Sequence, residues 1–351
     1  MTSKSLSGID LLHLTIDDIR RIFSVDDRGL LEEMAHAARE LTRRQFGRTI
    51  SLYAPLYIAN YCENECVYCG FHASQKSMPR SKLTMEQIDR ECEALAATGN
   101  RSVLILTGES RFHSSPQYIR DAVRIASRYF SYVALEVYPL DEEEYRELYL
   151  AGVDGVTLYQ ETYDRARYDE LHLAGPKKVY DYRVSAPDRV ARSGIRHISM
   201  GALLGLTDWR RDVIALFEHV RGLEKRYPGV EFGLAFPRLR RVADDIHQYQ
   251  EVSDRDMLKI MTAARLFFPR VGISISTRET PRFRDSILEF GVTKMSAGSS
   301  TRVGGYLEGE HKYEDGQFEV FDPRSFDEIK AMLRSRGFDP VVTDWRNIVN
   351  S

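Results

Sequence analysis

Residues 51–72 read SLYAPLYIANYCENECVYCGFH. The first ten form a nearly continuous apolar run rich in β-formers, the pattern of a strand buried on both faces. Directly behind it, Cys62, Cys66 and Cys69 place three of the chain's four cysteines in eight residues, as C-x3-C-x2-C. A strand that ends in a ligand-bearing loop is a recurring element of barrels, whose chemistry sits at the C-terminal ends of the strands.

Seven more runs of this kind follow, at 102–108, 132–138, 155–161, 197–203, 230–236, 272–277 and 293–298. Amphipathic stretches separate them. The clearest starts at Thr84, where Gln87 completes a capping box and Met85, Ile88, Cys92 and Leu95 fall at helical spacing up to a stop at Gly99. Others span Pro116 to Tyr129, Asp141 to Ala151, Pro187 to Ser193, Trp209 to Arg226, Asp254 to Phe268 and Pro281 to Phe290. Eight strands alternating with helices over about 250 residues predict an α/β fold, a (β/α)8 TIM-type barrel at 49–300. Residues 1–48 read as an N-terminal helical extension whose second helix is Gly29 to Gln45. Residues 301–351 read as a C-terminal extension packing on the barrel, with a Gly-rich loop, STRVGGY, and a helix near Ser325 to Arg336.

Composition narrows the function. The chain has 351 residues, 43% hydrophobic and 29% charged, with a net charge of −3 and scattered basic residues, which argues against a nucleic-acid partner. No apolar run is long enough to span a membrane, and the first residues lack the features of a signal peptide, so a cytoplasmic location is expected. In a reducing cytoplasm, clustered cysteines point to metal rather than to disulfides. Three thiolates on a short loop suit three irons of a [4Fe-4S] cluster, leaving the fourth iron open to a small chelating molecule. The alternative is a structural zinc site with His72 as fourth ligand. Cys92 belongs to the helical core face.

The motif C-x3-C-x-aromatic-C, with Tyr68 as the aromatic, resembles the signature of the radical S-adenosylmethionine (SAM) superfamily. PLYIANYCENECVYCGF, LTGES, GVTLYQETY, FPRLR, STRETPRFRD and VGGY resemble stretches of the 2-iminoacetate synthase family, the tyrosine lyases of bacterial thiamine biosynthesis. This resemblance implies that Cys62, Cys66 and Cys69 hold the cluster and that SAM binds its open iron. Gly108 and Glu109, in TGE, correspond to the family's GGE motif, which holds the amino group of SAM. Tyr68 corresponds to the residue beside the adenine, Glu161 to the acid on the ribose hydroxyls, and Arg183 to the arginine on the SAM carboxylate. Glu136 is expected at the same barrel mouth, as a further residue of the SAM site. For the substrate, the resemblance implies that Arg278 grips an amino-acid carboxylate, with Ser276 or Thr277 adding hydrogen bonds. Arg238 and Arg240 are further candidates for sensing the phenol or carboxylate.

The implied reaction is reductive cleavage of SAM to a 5′-deoxyadenosyl radical, followed by Cα–Cβ cleavage of L-tyrosine to 2-iminoacetate and p-cresol. Flavodoxin or ferredoxin is the implied electron donor, and thiazole synthase the implied recipient of the imine. Two rivals lie in the same superfamily: a lyase for another aromatic amino acid such as tryptophan, and a tyrosine lyase of the hydrogenase-maturation type. The latter carries further cysteines in a C-terminal extension, whereas no cysteine follows Cys92 here. A non-catalytic zinc-bound scaffold is the rival outside enzymology.

Overall fold

A computed structural model describes residues 9–239, 249–307 and 316–344. Eight parallel strands form the barrel: β1 (Thr49–Ala59), β2 (Ser102–Thr107), β3 (Tyr132–Glu136), β4 (Gly155–Glu161), β5 (His197–Ala202), β6 (Glu231–Ala235), β7 (Gly272–Ile275) and β8 (Lys294–Ser296). Each pairs with the next, and β1 closes the ring by pairing with both β2 and β8. The alternation in β1 shows how the wall is built. Ile50, Leu52, Ala54, Leu56 and Ile58 join the core between sheet and helices, while Tyr57 packs in the lumen with Leu104 and Leu106 of β2.

The outer layer comprises α1 (Ile16–Ser24), α2 (Arg28–Phe46), α3 (Met85–Ala97), α4 (Pro116–Ala126), α5 (Glu142–Ala151), α6 (Arg165–Leu171), α7 (Tyr180–Val184), α8 (Ala186–Ser193), α9 (Trp209–Arg226), α10 (Asp254–Phe267), α11 (Pro281–Ile287) and α12 (Phe326–Ser335). The capping box at α3 is present, with the Thr84 hydroxyl accepting from the Gln87 amide and the Gln87 side chain accepting from the Thr84 amide. Cys92 is fully buried beneath that helix. The short helices α6 and α7 are additions to the sequence reading. So is β9 (Asp339–Val341), which pairs in parallel with Thr49 to Ser51 of β1. Because β2 pairs β1 only from Ala54 onward, the first residues of β1 have a free edge for β9 to take. Pro340 has no N–H to donate, and an outermost strand tolerates that loss.

At the floor of the lumen, the Tyr132 hydroxyl lies 2.7 Å from His197 Nδ1, and the Lys294 ammonium sits 4.2 Å from the Tyr132 ring centroid. The opposite end, where the strands finish, carries the cysteine loop.

Candidate active site

The cysteine loop is pinned on both sides. On one, the Gly108 amide donates to Ala59 O at 3.0 Å and the Glu63 amide to Glu109 O at 2.8 Å. The chains cross so closely that a Cβ on Gly108 would lie 2.3 Å from Tyr61 O, so glycine is required there. On the other side, the loop is zipped to the segment after α6: the Val67 amide donates to Leu171 O at 3.1 Å, the Glu65 amide to Ala174 O at 3.0 Å and the Leu173 amide to Glu65 O at 2.9 Å. Asn64 joins the two sides. Its Nδ2 donates to Glu109 Oε2 at 2.6 Å and lies 3.7 Å from Cys62 Sγ, while its Oδ1 accepts from the Lys177 amide at 2.8 Å.

Cys66 is buried, and Cys62 and Cys69 are half-buried. Gln317, far away in sequence, extends its Nε2 to 3.7 Å from Cys69 Sγ and accepts the Tyr57 hydroxyl at 2.7 Å. Amide donors aimed at thiolate sulfurs are the outer contacts that tune iron–sulfur clusters. Burial pushes the Cys66 thiol up to about 12 against the pull of Lys177, so it keeps its proton until a metal displaces it. His72 is turned to other work, with Nδ1 at 3.0 Å from Ser74 Oγ and 3.4 Å from Glu65. Among the described residues, no three His, Cys, Asp or Glu side chains are grouped to hold a single metal ion. Three thiols on one loop, two of them facing amide donors, with His72 turned away to Ser74 and Glu65, fit a cluster with one open iron better than a tetrahedral zinc site.

Tyr68 is fixed through His172. The Tyr68 hydroxyl lies 2.7 Å from His172 Nε2, and His172 Nδ1 lies 2.7 Å from Tyr168 O, which can only accept. Burial, with Lys177 adding to it, pushes the imidazole down to about 3. The ring is therefore neutral, Nδ1 carries the proton, and Nε2 accepts from Tyr68.

A cavity of about 130 Å³ opens beside Cys69 and Tyr68 and reaches Glu136, Glu161, Lys177, Ser276 and Arg278. Glu161 has a φ of 70°, the one positive value among the described non-glycine residues, where β4 slips its register against β5. Its carboxylate lies 2.7 Å from Lys177 Nζ and 3.5 Å from Arg183 Nη2. Burial raises the Glu161 carboxyl, but the two cations outweigh it and hold the group below the usual carboxylate range. Arg183 also donates from Nε to Tyr159 O at 2.8 Å. Ser276 Oγ accepts from the Arg278 amide at 3.4 Å. The Arg278 guanidinium stacks 3.6 Å from the Phe318 ring centroid, and no carboxylate pairs with it among the described residues. Ser299 Oγ, also on the wall, is buried without a hydrogen-bond partner, as expected of a site that receives a polar ligand.

The proposed sensing role of Arg238 is corrected by the structure. Arg238 is buried and forked onto Glu279 at 2.8 and 2.6 Å, with Val252 O at 2.8 Å and Asp254 at 2.5 Å. These partners take four of the five N–H donors, and the side chain is not on the cavity wall, so Arg238 braces the loop after β7. Arg240 lies outside the described residues. Sequence reasoning did not anticipate Asn64, Lys177, His172, Gln317 or Phe318. Of these, Asn64 alone had a signal, its position inside the cysteine motif.

Residues 56–217 match the radical SAM superfamily and residues 235–339 the Biotin and Thiamin Synthesis associated domain. The chain is 39% identical to the 2-iminoacetate synthase of Escherichia coli (strain K12) over 96% of its own length and 89% of that protein. It is 37% identical, with the same coverage, to the 2-iminoacetate synthase of Salmonella typhimurium. Among solved structures, it superimposes on HydG, a maturase of the [FeFe]-hydrogenase, with a TM-score of 0.88 and 35% identity, covering 95% of this chain and 74% of that one. The chain belongs to the 2-iminoacetate synthase family of radical SAM enzymes.

Proposed function

We propose that this protein cleaves the Cα–Cβ bond of L-tyrosine to 2-iminoacetate and p-cresol, the lyase reaction that supplies the thiazole ring of thiamine. The observation that carries the substrate reading is Arg278, a guanidinium on the wall of the cavity that also contains Cys69 and Tyr68, with no carboxylate of its own among the described residues. A half-buried cation in that state selects an anion, and the forked guanidinium suits a carboxylate.

A [4Fe-4S] cluster with SAM on its open iron supplies the 5′-deoxyadenosyl radical chemistry. The residues of the chain hold and orient. Cys62, Cys66 and Cys69 bind the cluster. Glu109, steadied by Asn64, and the Gly108 backbone take the SAM amino group; Arg183 takes its carboxylate; Glu161, held by Lys177, takes the ribose hydroxyls; and Tyr68 flanks the adenine. Arg278 and Ser276 fix the carboxylate of the substrate, and Phe318, stacked on the guanidinium, holds its orientation at the cavity wall. Crowding from Tyr53, Tyr57 and Tyr159 limits water, which favours single-path radical chemistry. Flavodoxin or ferredoxin delivers the electron, and thiazole synthase takes the imine before it hydrolyses. The described residues contain no helix long and apolar enough to cross a membrane.

The test is anaerobic reconstitution to about four irons per chain, followed by incubation with SAM, a reductant and tyrosine. Formation of p-cresol, 5′-deoxyadenosine and glyoxylate, the hydrolysis product of the imine, is expected. Formation of 5′-deoxyadenosine without p-cresol refutes the tyrosine assignment, and p-cresol lost to indole products when tryptophan replaces tyrosine identifies the other aromatic lyase.

A further inference from the structure

The cavity holds two groups of opposite charge that have no counter-ion among the described residues. Arg278 is one. The other is Glu136, the last residue of β3, which lines the same wall. Among the described residues, its carboxylate has no hydrogen bond and no ion pair, unlike its neighbours. Glu161 is paired with Lys177 and Arg183, Glu109 accepts from Asn64, and Glu279 is forked by Arg238. A half-buried carboxylate on a cavity wall with no donor to receive is destabilised in its charged form unless a ligand supplies that donor.

Burial pushes the Glu136 carboxyl up to about 7, and the strongest opposing influence is Arg278, ahead of Lys177 and Arg183. Arg278 and Glu136 line the same cavity, yet they do not pair with each other. A ligand that carries an anion and a cation on adjacent atoms would fit between them. The α-carbon of an amino acid does so, with carboxylate and ammonium each one bond away, whereas the phenol of tyrosine sits at the far end of its ring.

We propose that Glu136 receives the α-ammonium group of the substrate while Arg278 receives its α-carboxylate, so that the two residues read the zwitterion and hold the amino nitrogen at the β3 wall. This deepens the lyase reading and rests on it. It moves Glu136 from the SAM site to the substrate site. Glu136 acts as a binding group, and the geometry it imposes decides which face of the substrate is presented.

The experiment uses anaerobic holoenzyme with SAM bound and measures affinity by equilibrium dialysis for three ligands: L-tyrosine, tyramine (no carboxylate) and 3-(4-hydroxyphenyl)propionate (no amine). Glu136→Gln should weaken tyrosine and tyramine by about ten- to hundredfold, the range for a charge-assisted hydrogen bond, and leave 3-(4-hydroxyphenyl)propionate unchanged. Arg278→Gln should weaken tyrosine and the propionate and spare tyramine. Glu136→Asp, which keeps the charge, should restore part of the tyramine affinity. Iron content, SAM affinity and melting temperature of the Glu136 variants should match wild type, which separates a ligand contact from a structural one. Equal weakening of all three ligands by Glu136→Gln, or weakening of the propionate alone, overturns the assignment, the latter by transferring Glu136 to the phenol. Unchanged tyrosine affinity overturns it as well. If wild type itself fails to bind tyrosine, the lyase reading falls with it.

Discussion

Replacing Gly108 with alanine tests the crossing that holds the cysteine loop in place. The backbone there is not in the left-handed region, so alanine meets no conformational penalty, and the whole effect is steric. The new methyl would lie 2.3 Å from Tyr61 O, 2.9 Å from Tyr61 C and 3.2 Å from Asn60 C, all backbone atoms that cannot rotate away. Relief requires the loop and the end of β2 to separate by roughly 1 Å. Cys62 follows Tyr61 directly and Glu109 follows Gly108, so the shift acts together on the proposed cluster ligand and the proposed SAM contact. It also stretches the 2.8 Å bond from the Glu63 amide to Glu109 O. Overpacking of this kind costs about 1–3 kcal/mol, less than the ~5–15 kcal/mol that holds a domain folded. Gly108→Ala should therefore fold. A misplacement of about 1 Å at a catalytic site costs on the order of 10²-fold in rate, so 5′-deoxyadenosine formation in single turnover should fall by about that factor, with iron content below wild type. Gly229→Ala is the control, since nothing lies within 4 Å of its added methyl. Wild-type iron content and rate in Gly108→Ala would falsify the view that this crossing sets the geometry of the loop.

Two further outcomes follow from the same structure. Arg238→Met removes a buried guanidinium from Glu279, Asp254 and Val252 O, and should destabilise the protein by about 3–5 kcal/mol in denaturant unfolding; tyrosine affinity of the folded fraction should barely change, and a large rise in KM at normal stability would restore Arg238 as a ligand contact. Tyrosine binding should also depend on pH. The ammonium needs an ionised Glu136, whose pKa burial raises from the usual carboxylate value to about 7. Binding a cation lowers that pKa again, so uptake of tyrosine releases a proton, and affinity falls by roughly tenfold between pH 8 and pH 6. The other groups that face Glu136 hold their charge over this window: Glu161 is pushed below its usual range, Lys177 and Arg183 above theirs, Arg278 is a guanidinium, and burial holds Tyr53, Tyr57 and Tyr159 neutral. Calorimetry in two buffers of different ionisation enthalpy measures the proton directly. Affinity that is flat across pH 6 to 8, or a slope that survives in Glu136→Gln, defeats this account.

Most of the barrel was legible in the chain because its signals are local. The apolar runs mark strands buried on both faces, and β4 spans Gly155–Glu161 as its sequence suggests. The box at Thr84 and Gln87 starts α3 whatever surrounds it. Signals weaken where elements are short. With seven and five residues, α6 and α7 offer too few turns for a period to emerge. Pro340 disguises β9, which forms because β1 leaves an edge free. The cysteine motif was legible for a chemical reason: three thiols at that spacing on one loop have few uses.

The sequence by itself determined the barrel strands, the loop that carries the cysteines, and the charged residues at the strand ends. It did not determine which of those charges are free. Arg238 and Arg278 look alike in sequence, each just past a strand, and Glu279 is the immediate neighbour of Arg278. In the folded chain Glu279 pairs instead with Arg238, 41 residues earlier, which leaves Arg278 open to the cavity. Likewise, Lys177 claims Glu161 while, among the described residues, no cation pairs with Glu136. Partner choice between buried charges depends on distances of a few ångströms across the barrel mouth, because Coulomb and hydrogen-bond energies fall steeply with separation while desolvation penalises every charge left alone. Those distances exist only once the strands have closed into a ring.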